Sequence, residues 1–332
     1  MAVPPSFPAV VVDHENSEPV AVREFATADL AGDLLLEVLW SSLNYKDALA
    51  SRPDGQVARR SPLVLGVDHV GVVRESGDPR YAEGDIVIAH GSDLGAVHHG
   101  GLAAWSRVSA DWVVPVPASL TARETMILGT AGYTAGASIL ELERHGLTPA
   151  DGPVLVTDGT GGVGSAAIAM LARRGYTVHA STGKPDTADW LRSLGASEVI
   201  DRETVTAHAG RPLSKQLWAA TVDSVGGATL AGALSATRYG GAVAASGLTG
   251  SSRLETTVMP FILRHVSLLG IDSSATEAGP RQAIWERVAA DLRPADLEQL
   301  VNRELGLEDV VPALDELLAG GARGRFLVRL AG

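Results

Sequence analysis

The chain has 332 residues, which exceeds one typical domain and points to two. With 45% hydrophobic and 20% charged residues, its composition is that of an ordinary globular protein and excludes a disordered or fibrous one. A net charge of −12 disfavours nucleic acid and anionic lipid as partners, and the lack of cysteine excludes disulfides, thiolate zinc sites and a cysteine nucleophile.

The sequence predicts neither an export signal nor a membrane span. The N-terminal residues lack a basic segment followed by a long apolar stretch, and no apolar run reaches about 18 residues. We therefore expect a cytoplasmic protein with no membrane partner.

The first 120 residues have the pattern of a β-rich domain. Short runs of β-forming residues are separated by Gly, Pro and Asp turns. These runs occupy residues 9–12, 34–39, 70–73 and 86–88, and residues 112–117 predict a further extended segment. We therefore predict a compact β domain over residues 1–120.

The pattern changes from residue 121. Thr121 and Glu124 have the spacing of a helix capping box, and the Ala/Gly-rich segment after them is typical of close-packed helices. Strand-like runs then alternate with helix-like segments, at residues 154–157, 176–180, 198–200, 220–223 and 241–245. This alternation predicts a doubly wound parallel sheet, and we assign residues 121–260 to this second domain.

The last part of the chain has no fingerprint of its own. It predicts a helix over residues 282–292 and a strand over residues 325–330. We assign residues 261–332 to the end of the second domain and to a C-terminal return to the first.

A glycine-rich loop indicates a cofactor. Residues 159–164 (GTGGVG) match the fingerprint G-x-G-x-x-G and lie between an apolar strand and a helix. Glycines let the backbone approach a diphosphate closely, and the N-terminus of the helix beginning near Val163 presents N–H groups to it. A glycine-rich turn with no ligand would have the same pattern, but the surrounding strand–helix–strand unit favours dinucleotide binding.

The segment at the end of the next strand bears on the choice of cofactor. An NAD site usually carries an acidic side chain there, about 20 residues after the loop, to bind the ribose hydroxyl groups. Residues 179–184 read HASTGK, which contains hydroxyls and Lys184 but no carboxylate. Such groups suit a 2′-phosphate, although a polar loop without a ligand is the alternative. The sequence favours NADPH over NADH.

Residues 41–47 (SSLNYKD) resemble the quinone oxidoreductase and acrylyl-CoA reductase branch of the medium-chain dehydrogenase/reductase superfamily. The similarity extends over nearly the whole chain and includes GVD at 66–68, GTAG at 129–132, LGA at 194–196 and PFILR at 260–264. Together these segments resemble the acrylyl-CoA reductase-like subgroup. The resemblance implies an α/β fold with a GroES-like β domain, a Rossmann domain inserted into it, and an active site in the cleft between them.

The resemblance also bears on metal content. Zinc-dependent members of the superfamily have a cysteine near the first motif and Gly-His-Glu at the second, where this chain has Asn44 and Asp68. His98 and His99 near Asp93 are ligand types, but adjacent side chains point in different directions, so we predict no metal site. The resemblance then implies hydride transfer from NADPH to an activated carbon–carbon double bond, whose carbonyl takes up the developing enolate charge.

Site residues follow from the same resemblance. Tyr45 is implied near the nicotinamide, where it positions the ring or donates a proton, and Asp68 and Arg325 are the next candidates for catalytic roles. Each has an alternative: a turn or intradomain partner for Asp68, a surface cation for Arg325 and a packed aromatic ring for Tyr45. The implied cofactor-binding residues are Asn44, Tyr45, Thr160, Gly161, Gly162, Val163, Thr182, Gly183, Lys184, Arg202, Leu248, Ile262 and Ser273.

The leading hypothesis is therefore an NADPH-dependent, zinc-independent reductase of a 2-enoyl-CoA, with acrylyl-CoA as the first substrate to test. A quinone or enone reductase is the alternative among enzymes, and a non-catalytic NADPH-binding protein is the alternative from another class. The family also implies a homodimer joined at the edges of two Rossmann sheets, for which the apolar residues 266–271 are the candidate strand.

Several positions depart from the pattern of the family, among them residues 319–322 (AGGA), which are unusually small. Asp158 stands where an uncharged residue is more usual, and Lys184 replaces the commoner arginine. A carboxylate beside a phosphate-binding loop is unfavourable unless it points away or is paired.

Overall fold

The computed structural model describes residues 3–16 and 18–331, which form two compact units. The first unit comprises the residues up to Thr130, Ser274–Glu286, and the residues from Val301 onward. The second unit comprises Ala131–Ser273 and Arg287–Leu300. The first division thus lies about ten residues beyond residue 120, and the chain re-enters the first unit twice.

Strands and helices are numbered in chain order. The strands are β1 (Ser6–Val12), β2 (Val20–Ala26), β3 (Leu34–Ser42), β4 (Leu63–Val64), β5 (Asp68–Ser76), β6 (Ile86–His90), β7 (Trp105–Val108), β8 (Val113–Pro115), β9 (Val154–Val156), β10 (Val178–Thr182), β11 (Glu198–Asp201), β12 (Trp218–Asp223), β13 (Thr237–Ala245), β14 (Ser267–Gly270), β15 (Val301–Leu305) and β16 (Arg325–Arg329). The α-helices are α1 (Tyr45–Ala50), α2 (Ala122–Arg144), α3 (Gly162–Arg173), α4 (Ala188–Ser193), α5 (Arg202–Thr206), α6 (Gly227–Ala236), α7 (Met259–Arg264), α8 (Ala278–Ala289) and α9 (Val310–Leu318).

The first unit contains two sheets. β1 lies between β2 and β4 in the smaller sheet, and the larger has the order β15-β16-β3-β5-β6-β8, with β7 paired to β3. β1 is buried on both faces, because Phe7 and Val11 pack with Trp105 in one apolar cluster while Val10 and Val12 belong to another. A strand buried on both faces carries a continuous apolar run instead of an alternating one, as this sequence does.

Three strands of the larger sheet meet at one place. The end of β3 pairs with the beginning of β5, where Ser41 lies opposite His69, and with β16, where Ser42 lies opposite Leu327. This antiparallel register brings residues that are far apart in sequence into one neighbourhood, next to the start of β5 at Asp68 and the start of β16 at Arg325.

The second unit is built on a six-stranded parallel sheet of order β11-β10-β9-β12-β13-β14. Counted from β9, this is the 3-2-1-4-5-6 order of doubly wound dinucleotide-binding sheets, as the alternating pattern predicted. The strand order reverses between β9 and β12, and ligands bind outside the carboxyl ends of the strands at such a point. We therefore expect a ligand site in the segments that follow these two strands.

Small residues let the helices of the second unit pack closely. A Cβ atom on Gly232 of α6 would fall 2.1 Å from the carbonyl oxygen of Val205 in α5, so only glycine permits this approach. α6 is almost entirely buried, in keeping with its Ala/Gly-rich sequence. Among the described residues, no helix combines the length and the apolar character needed to cross a bilayer.

The element boundaries agree with the sequence in part. The capping box of α2 is present, since the Thr121 amide donates to the Glu124 carboxylate at 2.9 Å and the Glu124 amide to Thr121 Oγ1 at 3.2 Å. α8 begins four residues before the predicted start at 282, because Pro280 is tolerated in a first helical turn. The predicted segment 112–117 is extended only in β8, and Trp112 lies in a short 3-10 turn before it.

Candidate active site

The glycine loop of the second unit has the geometry of an anion cradle. It follows β9, and Gly161 is the N-cap residue of α3, which begins at Gly162. Gly161, Gly162 and Val163 are partly exposed, whereas Thr160 before them is buried. The first amides of a helix have no partner within the helix, so this end of α3 offers N–H donors and the positive end of the helix dipole to an anion.

The third glycine of the fingerprint fixes the helix against the loop. A Cβ atom on Gly164 would lie 2.1 Å from the carbonyl oxygen of Asp158. Gly159 is anchored from the other side, since its amide donates to the carbonyl oxygen of Ser181 at 2.8 Å. Any larger residue at 164 would push α3 away from the loop, and the cradle would open.

The residues predicted to bind the adenosine phosphate come together at the end of β10. A Cβ atom on Gly183 would lie 2.6 Å from Nε of Arg202, so the guanidinium of Arg202 packs directly on this glycine. Thr182 Oγ1 accepts the amide of Lys184 at 3.1 Å, which turns the chain after the strand. Two cations and an exposed backbone thus share one edge of the sheet, and this arrangement suits a phosphate monoester.

Three further candidates for cofactor binding, Leu248, Ile262 and Ser273, lie elsewhere in the second unit. Leu248 is exposed in the loop after β13, and Ser273 follows β14, so both lie beyond carboxyl ends of strands. Ile262 lies in α7, between these strands in sequence, and is 71% exposed. All three therefore have surface available to a ligand or to a second protein chain.

In the first unit, the Asp68 carboxylate is the centre of a buried network. Asp68 is 0% exposed. Its Oδ1 accepts hydrogen bonds from the amide and the hydroxyl of Ser42, at 3.2 and 2.7 Å. Its Oδ2 accepts hydrogen bonds from Nδ2 of Asn44 at 2.9 Å and from the amide of Thr130 at 2.8 Å. Four donors satisfy an ionised carboxylate, which is how a buried charge is tolerated.

Arg325 is the cation of the same network. It is 3% exposed, and its Nη2 donates to Ser42 Oγ at 2.6 Å while its Nη1 donates to Asn44 Oδ1 at 3.2 Å and to the carbonyl oxygen of Leu43 at 3.3 Å. Its Nε donates to the carbonyl oxygen of Ile127 at 3.2 Å. Burial lowers the pKa of the guanidinium, against the attraction of the nearby acids.

These contacts bear on the alternatives for both residues. Arg325 is buried and is not a surface cation, since its guanidinium donates four hydrogen bonds to protein atoms. The oxygens of Asp68 accept hydrogen bonds from four donors of the first unit, as the intradomain alternative for this residue implies. Together the two side chains fix the segment at Asn44.

Gly129 makes room for the network. Its φ of 51° and ψ of −156° interrupt α2, and this conformation is nearly confined to glycine. A Cβ atom there would lie 2.8 Å from Arg325 Nη2, 2.8 Å from Ser42 Oγ and 2.9 Å from Asp68 Oδ2. The interruption also turns the next amide, that of Thr130, toward Asp68.

Tyr45 is presented by the start of α1. It is the first residue of that helix and is 38% exposed. Asp47 holds this turn, because its Oδ2 accepts the amide of Asn44 at 2.9 Å and its Oδ1 accepts the amide of Val67 at 2.8 Å. Burial, and then the charge of Asp68, raise the pKa of Asp47 to about 7. The capping-box spacing from Asn44 to Asp47 was the signal that would have identified Asp47 as a positioning residue.

Comparison with known proteins then assigns the chain to a family. Residues 30–118 match the alcohol dehydrogenase GroES-like domain, and residues 162–290 match the zinc-binding dehydrogenase domain. The chain is 50% identical over 312 residues to the provisionally named quinone oxidoreductase YhfP of Bacillus subtilis, a match covering 94% of each. It is 44% identical over 326 residues to the acrylyl-CoA reductase AcuI of Ruegeria pomeroyi, covering 97% of this chain and 98% of that one. The chain belongs to the medium-chain dehydrogenase/reductase superfamily.

Within this superfamily it belongs to the branch of the quinone oxidoreductases and acrylyl-CoA reductases, as residues 41–47 indicated. Solved structures agree. YhfP of B. subtilis with NAD bound has a TM-score of 0.95 at 48% identity, covering 98% of this chain and 99% of that one. The YhdH oxidoreductase of Salmonella enterica in complex with NADP has a TM-score of 0.94 at 42% identity, covering 98% and 100%. The predicted fold, with a GroES-like and a Rossmann domain, is confirmed, and the protein is an oxidoreductase.

Zinc, which the description of the second matched domain implies, does not fit the residues present. The chain has no cysteine, and the Asp68 carboxylate is surrounded by hydrogen-bond donors, which a cation would displace. Both ring nitrogens of His98 lie within 2.9 Å of backbone carbonyl oxygens. In the part of the chain that the structure describes, no three His, Asp or Glu side chains are grouped to hold a metal ion.

Proposed function

We propose that this oxidoreductase uses NADPH to reduce an activated carbon–carbon double bond, in a 2-enoyl-CoA such as acrylyl-CoA, and that it does so without zinc. The observation that carries the proposal is that the glycine loop after β9 is accompanied by two cations that meet at Gly183, Lys184 after β10 and Arg202 after β11. The acrylyl-CoA reductase name of the Ruegeria relative supports the choice of substrate.

The cofactor residues divide by the part of NADPH that they contact. Thr160, Gly161, Gly162 and Val163 bind the diphosphate through the N-terminus of α3. The adenosine 2′-phosphate is bound by Thr182, Gly183, Lys184 and Arg202. We assign the nicotinamide end to Leu248, Ile262, Ser273, Asn44 and Tyr45, as the resemblance to the family implies. NADPH, when bound, supplies the hydride for the β carbon of the substrate.

The NADPH assignment rests on charge. Lys184 and the Arg202 guanidinium over Gly183 would interact favourably with a 2′-phosphate, which NADH lacks. Bound NAD in the YhfP structure and bound NADP in the YhdH structure show that both cofactors occur among the relatives. The absence of a carboxylate at residues 179–184 favours NADPH for this chain.

We assign the proton step to Tyr45. Reduction needs one proton at the α carbon after the hydride reaches the β carbon, and the exposed phenol of Tyr45 is a suitable donor. The Asp47 cap and the Asp68–Arg325 network hold the turn that carries this phenol, so their contribution is orientation.

An acceptor panel tests the function. Purified protein is given NADPH and acrylyl-CoA, longer 2-enoyl-CoA thioesters, free enones and quinones, and NADPH oxidation is followed at 340 nm. Saturable oxidation with the highest kcat/KM for a CoA thioester is expected. Preference for free carbonyl acceptors would favour the quinone or enone reductase, in line with the YhfP name. Tight NADPH binding without turnover of any acceptor would favour a non-catalytic NADPH-binding protein.

We also propose that the protein is a homodimer joined through β14. This strand is at the edge of the sheet, and apolar side chains are exposed around it, among them Leu268, Met259, Ile262 and Leu263. An edge strand with unpaired backbone groups, surrounded by exposed apolar side chains, is a favourable surface for pairing with a second copy of the chain.

Sedimentation velocity tests the dimer. The native protein is expected at twice the mass of the 34.4 kDa chain, and Leu268→Lys at the mass of one chain. Val97→Lys, a change at an exposed valine of the first unit, is expected to leave the dimer intact. A native protein that sediments as a monomer at micromolar concentration would contradict the proposal.

A further inference from the structure

Asp158 has an unusual backbone conformation. Its φ is 48°, in the left-handed region that glycine adopts freely and that aspartate is among the few other residues to tolerate. It follows β9 and precedes the glycine loop directly. The chain therefore holds a charged side chain, in a conformation suited to glycine, at the entrance of the diphosphate cradle.

The carboxylate of Asp158 is directed at the cradle itself. A Cβ atom on Gly161 would lie 2.2 Å from Asp158 Oδ2, so this oxygen lies over the N-cap of α3. Within the described residues the Asp158 carboxylate accepts no hydrogen bond. The carboxylate therefore points toward the loop and has no hydrogen-bond donor from the described residues.

Three charged groups act on Asp158. Lys184 and Arg202, on the adenosine-phosphate side, attract its negative charge, and Asp223 at the end of β12 repels it. The Asp223 carboxylate has partners of its own, since it accepts hydrogen bonds from Thr157 Oγ1 at 2.7 Å and from the amide of Gly226 at 2.8 Å. Burial is the largest influence and raises the pKa of Asp158 to about 6.

We propose that Asp158 is an affinity-determining residue of the cofactor site: its carboxylate opposes the diphosphate when ionised and admits it when protonated. The inference rests on the proposed binding of NADPH at this loop. Repulsion between like charges at close range in a partly buried site is strong enough to change affinity by about tenfold or more. NADPH affinity therefore falls as the pH rises above 6.

The reciprocal effect gives a second readout. A bound diphosphate raises the pKa of Asp158 further, because it disfavours the negative carboxylate. At a pH between the two pKa values, binding takes up a proton from solution. At pH 7 we expect an uptake of about half a proton or more by the native protein.

The variants Asp158→Asn and Asp158→Gly separate charge from backbone conformation. Asn keeps the size of the side chain and tolerates a positive φ, whereas Gly removes the side chain and relieves the backbone. Asp186→Asn is the matched control, because Asp186 is an exposed carboxylate two residues beyond Lys184. Folding of each variant is verified by circular dichroism.

Isothermal titration calorimetry with NADPH, in two buffers of different ionisation enthalpy, measures affinity and proton uptake together. At pH 8 both Asp158 variants are expected to bind about tenfold more tightly than the native protein, and at pH 5 to within about threefold of it. Proton uptake at pH 7 should disappear in both variants and persist in Asp186→Asn. NADH is titrated in parallel, because it lacks the 2′-phosphate, which itself titrates near pH 6.

The outcomes are distinguishable. Equal affinities at pH 8 for the native protein and both variants, or proton uptake that persists in the variants, would overturn the role of Asp158 and leave the cofactor site standing. Failure of every protein to bind NADPH at any pH would overturn the proposed function, and this inference with it.

Discussion

Arg325 and Asp68 are joined through one hydroxyl group. Ser42 Oγ accepts a hydrogen bond from Arg325 Nη2 at 2.6 Å and donates one to Asp68 Oδ1 at 2.7 Å. Asn44 makes a second bridge, with its Oδ1 toward Arg325 and its Nδ2 toward Asp68. The two buried charges thus compensate each other through two polar side chains, and the segment that leads into Tyr45 is fixed between them.

Removal of the Arg325 guanidinium should destabilise the protein strongly. Arg325→Met keeps the apolar length of the side chain but leaves Asp68 buried without its compensating charge, so we expect a loss of about 3–5 kcal/mol in the free energy of unfolding. Urea unfolding followed by circular dichroism measures it. Arg329→Met, on the exposed end of the same strand, is expected to cost no more than about 0.5 kcal/mol. A loss below about 1 kcal/mol for Arg325→Met would contradict the compensation.

Gly129→Ala tests the space that the network needs. The added methyl group would lie within 2.9 Å of three polar atoms, in a conformation nearly confined to glycine, so we expect a loss of about 3 kcal/mol or more. Gly84→Ala is the control, since Gly84 also has a positive φ, of 95°, but open space around it. It should cost about 1–2 kcal/mol. Equal losses for the two variants, measured by chemical denaturation, would mean that the network tolerates the methyl group.

The charge of Lys184 should set the preference for NADPH. Lys184→Asp replaces a cation at the proposed 2′-phosphate site by an anion, so we expect the Kd for NADPH to rise about 10- to 100-fold and that for NADH to change little. Fluorescence titration of both cofactors gives the ratio. Lys215→Asp, at an exposed lysine elsewhere in the second unit, should leave the ratio unchanged. An unaltered ratio in Lys184→Asp would remove the basis for preferring NADPH.

The phenol of Tyr45 should matter for turnover and not for cofactor affinity. Tyr45→Phe removes only the hydroxyl, so we expect kcat with acrylyl-CoA to fall about 100-fold while the Kd for NADPH stays within twofold. Tyr239→Phe, at an exposed tyrosine, serves as the control and should keep native kcat. If kcat of Tyr45→Phe stays within threefold of the native value, the proton comes from another donor.

The proximity of the proposed adenosine-phosphate residues could be predicted from the sequence for a physical reason. These residues follow neighbouring parallel strands, and the carboxyl ends of such strands meet at one edge of the sheet. The approach of Arg202 to Gly183 therefore follows once β10 and β11 are recognised as neighbours. Local patterns suffice where the topology places successive loops side by side.

The buried network could not be predicted in the same way. Arg325 and Ser42 are 283 residues apart and meet only because β16 pairs with the end of β3. The alternation along β16 would place Arg325 on the same face as the exposed Arg329, yet the strand is buried on both faces at its start. The Ala/Gly-rich segment of α2 likewise reads as one continuous helix, and the break at Gly129 becomes visible only when its polar neighbours are in place.

The most direct test of the account is the transfer of deuterium from NADPH labelled at nicotinamide C4. Protein shown by elemental analysis to be free of zinc is incubated with acrylyl-CoA and each of the two C4-labelled diastereomers, and the thioester product is analysed by mass spectrometry and NMR. We expect propanoyl-CoA with one deuterium at the β carbon from one diastereomer and none from the other. Product without deuterium from either label, or labelling only after zinc is restored, would contradict the account.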